Sequence, residues 1–134
     1  MANTTFSGPV RSQNGFQSIT VNSSTGAVTV NSTFDTGVVL GTQSLSGAGA
    51  VDLDNLITEL TTTGANALTL ADGTTSGQVK IITMIVDGGD GTLTPTTFAN
   101  GSTVTFDAVA ESVTLVWNST IGWVATSVQG ATIA

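Results

Sequence analysis

Residues 78–91 read QVKIITMIVDGGDG and form the most apolar run of the chain, closed by a glycine-rich segment at 87–91. The length of this run and its β-branched residues predict a central strand that is covered on both faces. Segments of alternating apolar and polar residues surround it, and turn signals recur roughly every 8–12 residues, as in all-β sandwiches and barrels. The sequence therefore predicts an all-β fold, either an antiparallel sandwich or a jelly-roll-like barrel.

The other predicted strands lie on both sides of this run. Ser-Ser-Thr-Gly at 23–26 separates the alternating segments 16–22 and 27–31, and this arrangement predicts a β-hairpin. Pro95 predicts an edge strand or a bulge, because proline cannot donate a hydrogen bond to a ladder. The remaining strand segments are 66–73, 92–98, 103–109, 111–118 and 122–128.

Two stretches between these segments are less regular. Residues 41–50 are rich in glycine, alanine and serine, which predicts a loop or an irregular crossing. In VDLDNLITELTTTG (51–64), aliphatic residues at helical spacing compete with three threonines that favour a strand, and we predict a strand from about 56 to 63. No repeat of fixed length is evident, which argues against a solenoid.

Residues 1–15 differ from the rest of the chain. They are polar, lack periodicity and are interrupted by glycines and Pro9, so they predict an extended N-terminal arm. A single β domain over 16–134 is expected to follow it. The arm contains Arg11, one of only two basic residues in the protein; the other is Lys80.

The composition argues against several classes of function. The net charge is −7, whereas nucleic acids and anionic membranes are bound by clustered lysine and arginine, so neither partner is expected. The chain contains no histidine, cysteine or tyrosine, which removes the usual nucleophile–base triads and the common zinc sites. We therefore expect no enzymatic activity, no catalytic residue, no bound metal and no cofactor.

Two motifs leave an alternative open. For DGGDG at 87–91 the alternative is a calcium loop, but the full carboxylate pattern of such a loop is absent. A turn in which the three glycines take positive φ is the preferred interpretation. Trp117 and Trp123 flank a turn in the last hairpin, where they either seal the core or a subunit interface, or form a platform for glycan stacking.

Two stretches of the sequence resemble segments of known proteins. TTFSGPVRSQNGFQSI (4–19) resembles the N-terminal segment of small structural proteins of tailed bacteriophages, marine phages in particular. The stretch 68–127, with LADG, DGG, TPTTF and SVTLVW in that order, resembles a module of phage head decoration proteins. Ala110 and Glu111 depart from its pattern, since glycine is expected in the turn before SVTL.

The resemblance implies a structural virion protein, namely a capsid decoration (cement) protein. Such proteins bind the outside of an icosahedral head as homotrimers and bridge neighbouring capsid subunits. The implied partners are the major capsid protein and sister copies, and the implied location is the outer surface of the virion, after synthesis in the host cytoplasm. The alternative is a head- or tail-fibre module that binds host-surface glycan through Trp117 and Trp123. Candidate contacts with the capsid or a sister subunit are Phe6, Pro9, Val10, Arg11, Asn14 and Phe16.

Overall fold

The computed structural model describes residues 16–34 and 39–134. Contacts divide the chain into two compact units, Met1–Val39 and Leu40–Ala134. Every regular element in the described residues is a β-strand, so the all-β class is confirmed. No helix in these ranges is long and apolar enough to cross a membrane. The predicted arm lies outside the described residues, and the predicted single domain over 16–134 stays a prediction.

The first unit contains the predicted hairpin. β1 (Phe16–Val21) pairs antiparallel with β2 (Val28–Phe34). The side chain of Asn22 closes the turn, because its Oδ1 accepts hydrogen bonds from the backbone N–H groups of Ser24 and Thr25 at 2.9 and 3.0 Å. This is the local side-chain capping that makes asparagine a turn residue.

The second unit consists of two five-stranded sheets. Its strands are β3 (Thr42–Ser46), β4 (Gly49–Val51), β5 (Ile57–Thr61), β6 (Asn66–Leu70), β7 (Val79–Val86), β8 (Gly91–Pro95), β9 (Val104–Phe106), β10 (Ser112–Asn118), β11 (Gly122–Gln129) and β12 (Thr132–Ile133). Sheet I has the order β11–β10–β7–β5–β3, and sheet II has the order β12–β9–β8–β6–β4. One hydrophobic core joins residues from both sheets, which is consistent with a β-sandwich.

From β3 to β8 the chain alternates between the sheets, and each strand lies parallel to the strand two places before it. The result is three stacked coils of two strands each, the arrangement of a short solenoid. Thr42 pairs with Ile57 after 15 residues, but Ile57 pairs with Ile81 after 24. Because the coils differ in length, they leave no fixed repeat in the sequence from which this winding could be predicted.

Both sheets are therefore mixed, and the predicted antiparallel arrangement is wrong for three strands of each sheet. Within the second unit, β9, β10, β11 and β12 have antiparallel neighbours only, whereas β7 and β8 each have one parallel and one antiparallel neighbour. A jelly roll, which is built from antiparallel strands, is not confirmed. Alternation of apolar and polar residues has the same period in parallel and antiparallel strands, so this pattern alone cannot identify the direction of pairing.

Pairing between distant segments also explains two local differences. The stretch 41–50, predicted as a loop, contains β3 and β4, which form because β5 and β6 lie beside them in parallel register. The predicted strand at 56–63 is confirmed by β5.

Pro95 lies at the end of the central strand β8 instead of on an edge, and the ladder between β8 and β9 stops at Leu93, two residues before it.

The core lies between the two sheets of the second unit. Apolar residues at alternate positions of β7 and β10 face it from sheet I, and those of β6, β8 and β9 face it from sheet II. Its buried apolar members are Val51, Leu60, Leu68, Leu70, Ile82, Met84, Leu93, Val104, Phe106, Val113, Leu115, Trp117, Trp123 and Ala131. Lys80 shares the inward positions of β7 with Ile82 and Met84, and all three are fully buried.

Candidate functional site

The most unusual group in the second unit is the buried side chain of Lys80. It has 0% exposure, although lysine is almost never buried without a partner. Its Nζ lies 3.3 Å from Oδ1 of Asp52 and also donates a hydrogen bond to the backbone carbonyl oxygen of Asn55. Both acceptors belong to the loop 52–56 between β4 and β5. Lys80 therefore joins this loop to the inner face of sheet I.

Asp52 is the counter-charge of Lys80 and the organising group of the loop. Its two carboxylate oxygens accept hydrogen bonds from the backbone N–H and the side-chain amide of Asn55, at 2.9 and 2.8 Å. Partial burial alone acts to raise the pKa of Asp52, but the hydrogen bonds from Asn55 and the charge of Lys80 outweigh it, and the pKa is lowered. Burial lowers the pKa of Lys80, and the attraction of Asp52 only partly opposes that shift.

Two glutamines hold the same loop from its flanks. The side chain of Gln43 donates to the carbonyl oxygen of Ala50 at 3.0 Å and accepts from the backbone N–H of Asp52 at 3.0 Å. These are the two groups that a neighbouring strand uses in a parallel ladder, so the amide closes the free edge of β4. Gln78 donates to the carbonyl oxygen of Leu53 at 2.9 Å.

The polar groups of this cluster are bonded to one another inside the fold. The ammonium group of Lys80 is enclosed and bonded, and no buried side-chain nitrogen or oxygen in the described residues lacks a partner. This cluster is not among the sites predicted from the sequence. The available signal was a lysine at an inward position of the strongly apolar run 78–86, which can be tolerated only with a paired charge.

Trp117 and Trp123 form a pair inside the core. They face each other across β10 and β11, with ring centroids 5.4 Å apart and ring planes at 59°. Trp117 is 7% exposed and Trp123 is 0% exposed, and the indole N–H of Trp123 donates to the carbonyl oxygen of Ala71 at 2.9 Å. The rings seal the core of one chain, so these buried faces do not form the surface platform that glycan stacking requires.

The DGGDG segment packs against the turn that follows β5. Of its three glycines only Gly89 has a positive φ, at +138°, so the prediction of positive φ at all three was wrong. Gly88 and Gly91 lie where the backbone comes too close to neighbouring atoms to leave room for a Cβ. A Cβ at Gly88 would lie 2.5 Å from the carbonyl oxygen of Thr62, and one at Gly91 would lie 2.9 Å from Cδ2 of Leu60. Within 16–34 and 39–134, no group of three or more acidic, histidine or cysteine side chains is arranged to hold a metal ion.

The turn at 107–111 carries backbone strain. Ala110 has a φ of +72°, the only positive value at a non-glycine position among the described residues. Glycine was expected at this turn, and the conformation explains that preference, because a Cβ is disfavoured in the left-handed region. The carboxylate of Glu111 accepts a hydrogen bond from the N–H of Asp107 at 2.7 Å and so closes the turn.

Five of the six contact candidates predicted near the N-terminus lie outside the described residues, namely Phe6, Pro9, Val10, Arg11 and Asn14. Phe16 begins β1 opposite Phe34, and only its backbone position is described.

The burial of Lys80 determines the charge of the surface. The unit Leu40–Ala134 contains one lysine, no arginine and eight acidic residues, a net charge of −7. Because that lysine is buried, the described residues expose no lysine or arginine side chain. Arg11 is the only other lysine or arginine in the chain.

The outer face of sheet II is uncharged and rich in threonine. In one row across the sheet, Ala67 pairs with Thr92, Thr92 with Thr105, and Thr105 with Thr132. Their side chains point away from the core, since Leu68, Leu93, Val104 and Phe106 occupy the inward positions.

No protein-family model matches the chain, and no curated protein matches it.

Proposed function

We propose that this protein is a structural virion protein, a capsid decoration (cement) protein that binds the outside of an icosahedral phage head as a homotrimer. One observation carries the proposal: the stretch that resembles phage head decoration proteins coincides with a set of strands that pack together. Residues 68–127 run from within β6 to within β11, and these strands supply most of the shared core. The resemblance therefore covers strands that share one core, and it is not limited to separate turn motifs.

The surface of the second unit supports a role in binding protein. It exposes acidic, hydroxyl and small apolar side chains, and no lysine or arginine side chain of the described residues is exposed. Binding to nucleic acid depends on such cations, so a protein surface is the more suitable partner. The major capsid protein is the partner we propose, on the outer surface of the virion, after synthesis in the host cytoplasm.

The hairpin of the first unit supports assembly with partner chains. Ile19, Val21 and Val28 lie on the same face of β1 and β2 and are 49, 53 and 57% exposed. A two-stranded hairpin gains stability when such an apolar face is buried. A homotrimer attached to a capsid would supply this burial.

The proposed mechanism is avidity. Each homotrimer presents three equivalent sets of contacts, and the linkage of several weak contacts with neighbouring capsid subunits produces a strong clamp. The candidates for these contacts remain those in the N-terminal segment, from Phe6 to Phe16, each of which meets either the capsid or a sister subunit. No catalysis is assigned to the protein. The fibre alternative has no separate support, because it depended on tryptophans that are buried.

The test compares virions of the phage that encodes this protein with particles of the same phage that lack the protein. Added full-length protein should bind the deficient particles, saturate at hundreds of copies per head and raise the temperature at which packaged DNA is released. Low-resolution images should show the added mass at the local threefold positions of the shell. Tens of copies confined to the tail, or no binding to deficient particles, would contradict the proposal. Light scattering of the free protein should give the mass of three chains.

A further inference from the structure

Among the described strands of the second unit, none pairs with the outer edge of β3 in sheet I. Two hydrogen bonds set the direction of the backbone groups in β3. The N–H of Ile57 donates to the carbonyl oxygen of Gly41, and the N–H of Gly47 donates to the carbonyl oxygen of Thr61. The backbone N–H and C=O groups of odd-numbered residues in and beside β3 therefore point toward β5. The backbone groups of the alternate residues therefore point away from the sheet. These residues are Thr42, Ser44 and Ser46, and all three are exposed.

The other sheet edges in the second unit are protected. The Gln43 amide closes β4, as described above. The first half of β11 is covered by the segment 97–100, which exchanges backbone hydrogen bonds with Trp123 and bonds Ala125 through the side chain of Asn100. The second half of β11 follows a β-bulge, and β12 has two residues. Bulges and short strands both discourage pairing, whereas β3 has five residues in regular register with β5.

The charge next to the outer edge of β3 favours one kind of partner. Ser44 pairs with Glu59 of β5, and both side chains lie on the outer face, because Thr58 and Leu60 occupy the inward positions. Only the small side chain of Ser44 separates the carboxylate of Glu59 from the edge. An added strand with an arginine on the same face can reach over Ser44 to Glu59. The β3 edge of a second copy carries the same carboxylate and is repelled.

We propose that the β3 edge of one copy binds the segment 1–15 of a second copy by strand addition, with Arg11 paired to Glu59. That segment contains Arg11 and no acidic residue, so it complements a unit of net charge −7. Main-chain hydrogen bonds along the edge supply affinity, and the ion pair fixes the register. The inference rests on the self-association included in the proposed function, and it assigns Arg11 to a sister subunit.

The first test removes the edge donor. Ser44→Pro deletes an N–H that points away from β5, so the ladder inside the sheet is preserved. Ser44→Ala keeps the N–H and is the matched control. In sedimentation velocity of the full-length chain, Ser44→Pro should weaken self-association by about tenfold or more, and Ser44→Ala should leave it unchanged. Equal association by the proline variant overturns the proposal, and so does a wild-type chain that stays monomeric.

The second test exchanges the charges and does not depend on proline being tolerated. Arg11→Glu alone and Glu59→Arg alone each place like charges opposite one another and should weaken association at low salt. The double variant Arg11→Glu/Glu59→Arg should restore it. If the double variant associates no better than the single variants, the Arg11–Glu59 pair is excluded.

Binding of the same variants to deficient phage particles separates the two proposals. If wild type binds particles and Ser44→Pro still forms trimers, this inference fails and the proposed function stands. If the edge variants lose self-association but wild type does not bind particles, the inference stands and the capsid role fails.

Discussion

The ammonium nitrogen of Lys80 lies 3.3 Å from Oδ1 of Asp52, and the two side chains are 0% and 30% exposed. This pair connects the central strand of sheet I to the loop that follows β4. The exposures differ, so the two partners are not equivalent: water can reach the carboxylate but not the ammonium group. Loss of Asp52 and loss of Lys80 should therefore lower the free energy of unfolding by different amounts.

We expect Asp52→Ala to destabilise the protein more than Lys80→Met. Removing the carboxylate leaves a buried ammonium group without its counter-charge, at a cost of about 3 kcal/mol. Removing the ammonium group leaves a carboxylate that water can solvate and one carbonyl without its donor, at a cost of about 1–2 kcal/mol. Urea unfolding measures both values. Asp54→Ala is the control for a nearby charge without a hydrogen bond, because Asp54 is exposed and attracts Lys80 only through its charge; it should destabilise by less than about 0.5 kcal/mol.

Stability should rise with pH in the alkaline range. The pKa of Lys80 is lowered from 10.5 in the folded protein, so between the folded and unfolded values the unfolded chain binds more protons. The cost of burying the charged lysine is fully present below the folded pKa and is relieved as pH rises toward 10.5. The chain has no histidine, cysteine or tyrosine to obscure this change. Lys80→Met should abolish the rise in urea midpoint, and an equal rise in that variant would contradict the assignment.

Ala110→Gly should stabilise the protein by about 1 kcal/mol. The φ of +72° at this residue is disfavoured for a residue with a Cβ, and glycine removes that strain. Ala108→Gly is the matched control, since Ala108 lies in the same turn, is exposed and has no positive φ. It should destabilise by about 0.5 kcal/mol, because glycine makes the unfolded chain more flexible. The same sign for both substitutions would show that strain at Ala110 does not limit stability.

Gly73→Ala should disturb the tryptophan pair. A Cβ at this position would lie 2.4 Å from Cγ of Trp117, so the indole must move, at a cost of about 1–3 kcal/mol. Tryptophan emission should shift to longer wavelength as the pair becomes more exposed. Gly77→Ala is the control. Its φ of +93° causes backbone strain, but no atom lies within 4 Å of the added Cβ, and the emission should not change. Unchanged emission in Gly73→Ala would mean that the pair tolerates the methyl group without moving.

Much of the secondary structure could be predicted from the sequence, because alternation and turn residues are local properties. The hairpin around Asn22 and the strands after residue 66 follow directly from them. In both cases the information lies within a few residues, and neighbouring strands do not alter the outcome. The expectation of glycine in the turn at 107–111 came instead from the resemblance, and Ala110 takes a positive φ there.

The tertiary structure alone determined how these strands are paired. The coils of β3 to β8 differ in length, and parallel pairing leaves the same alternation as antiparallel pairing, so the winding was invisible in the sequence. The strands in 41–50 form because their neighbours complete their hydrogen bonds. The role of Lys80 was likewise hidden, since its partners lie 25 and 28 residues away in the chain. By itself the sequence determined the all-β class and an acidic chain with two basic residues, and the fold decided that Lys80 is buried and paired with Asp52.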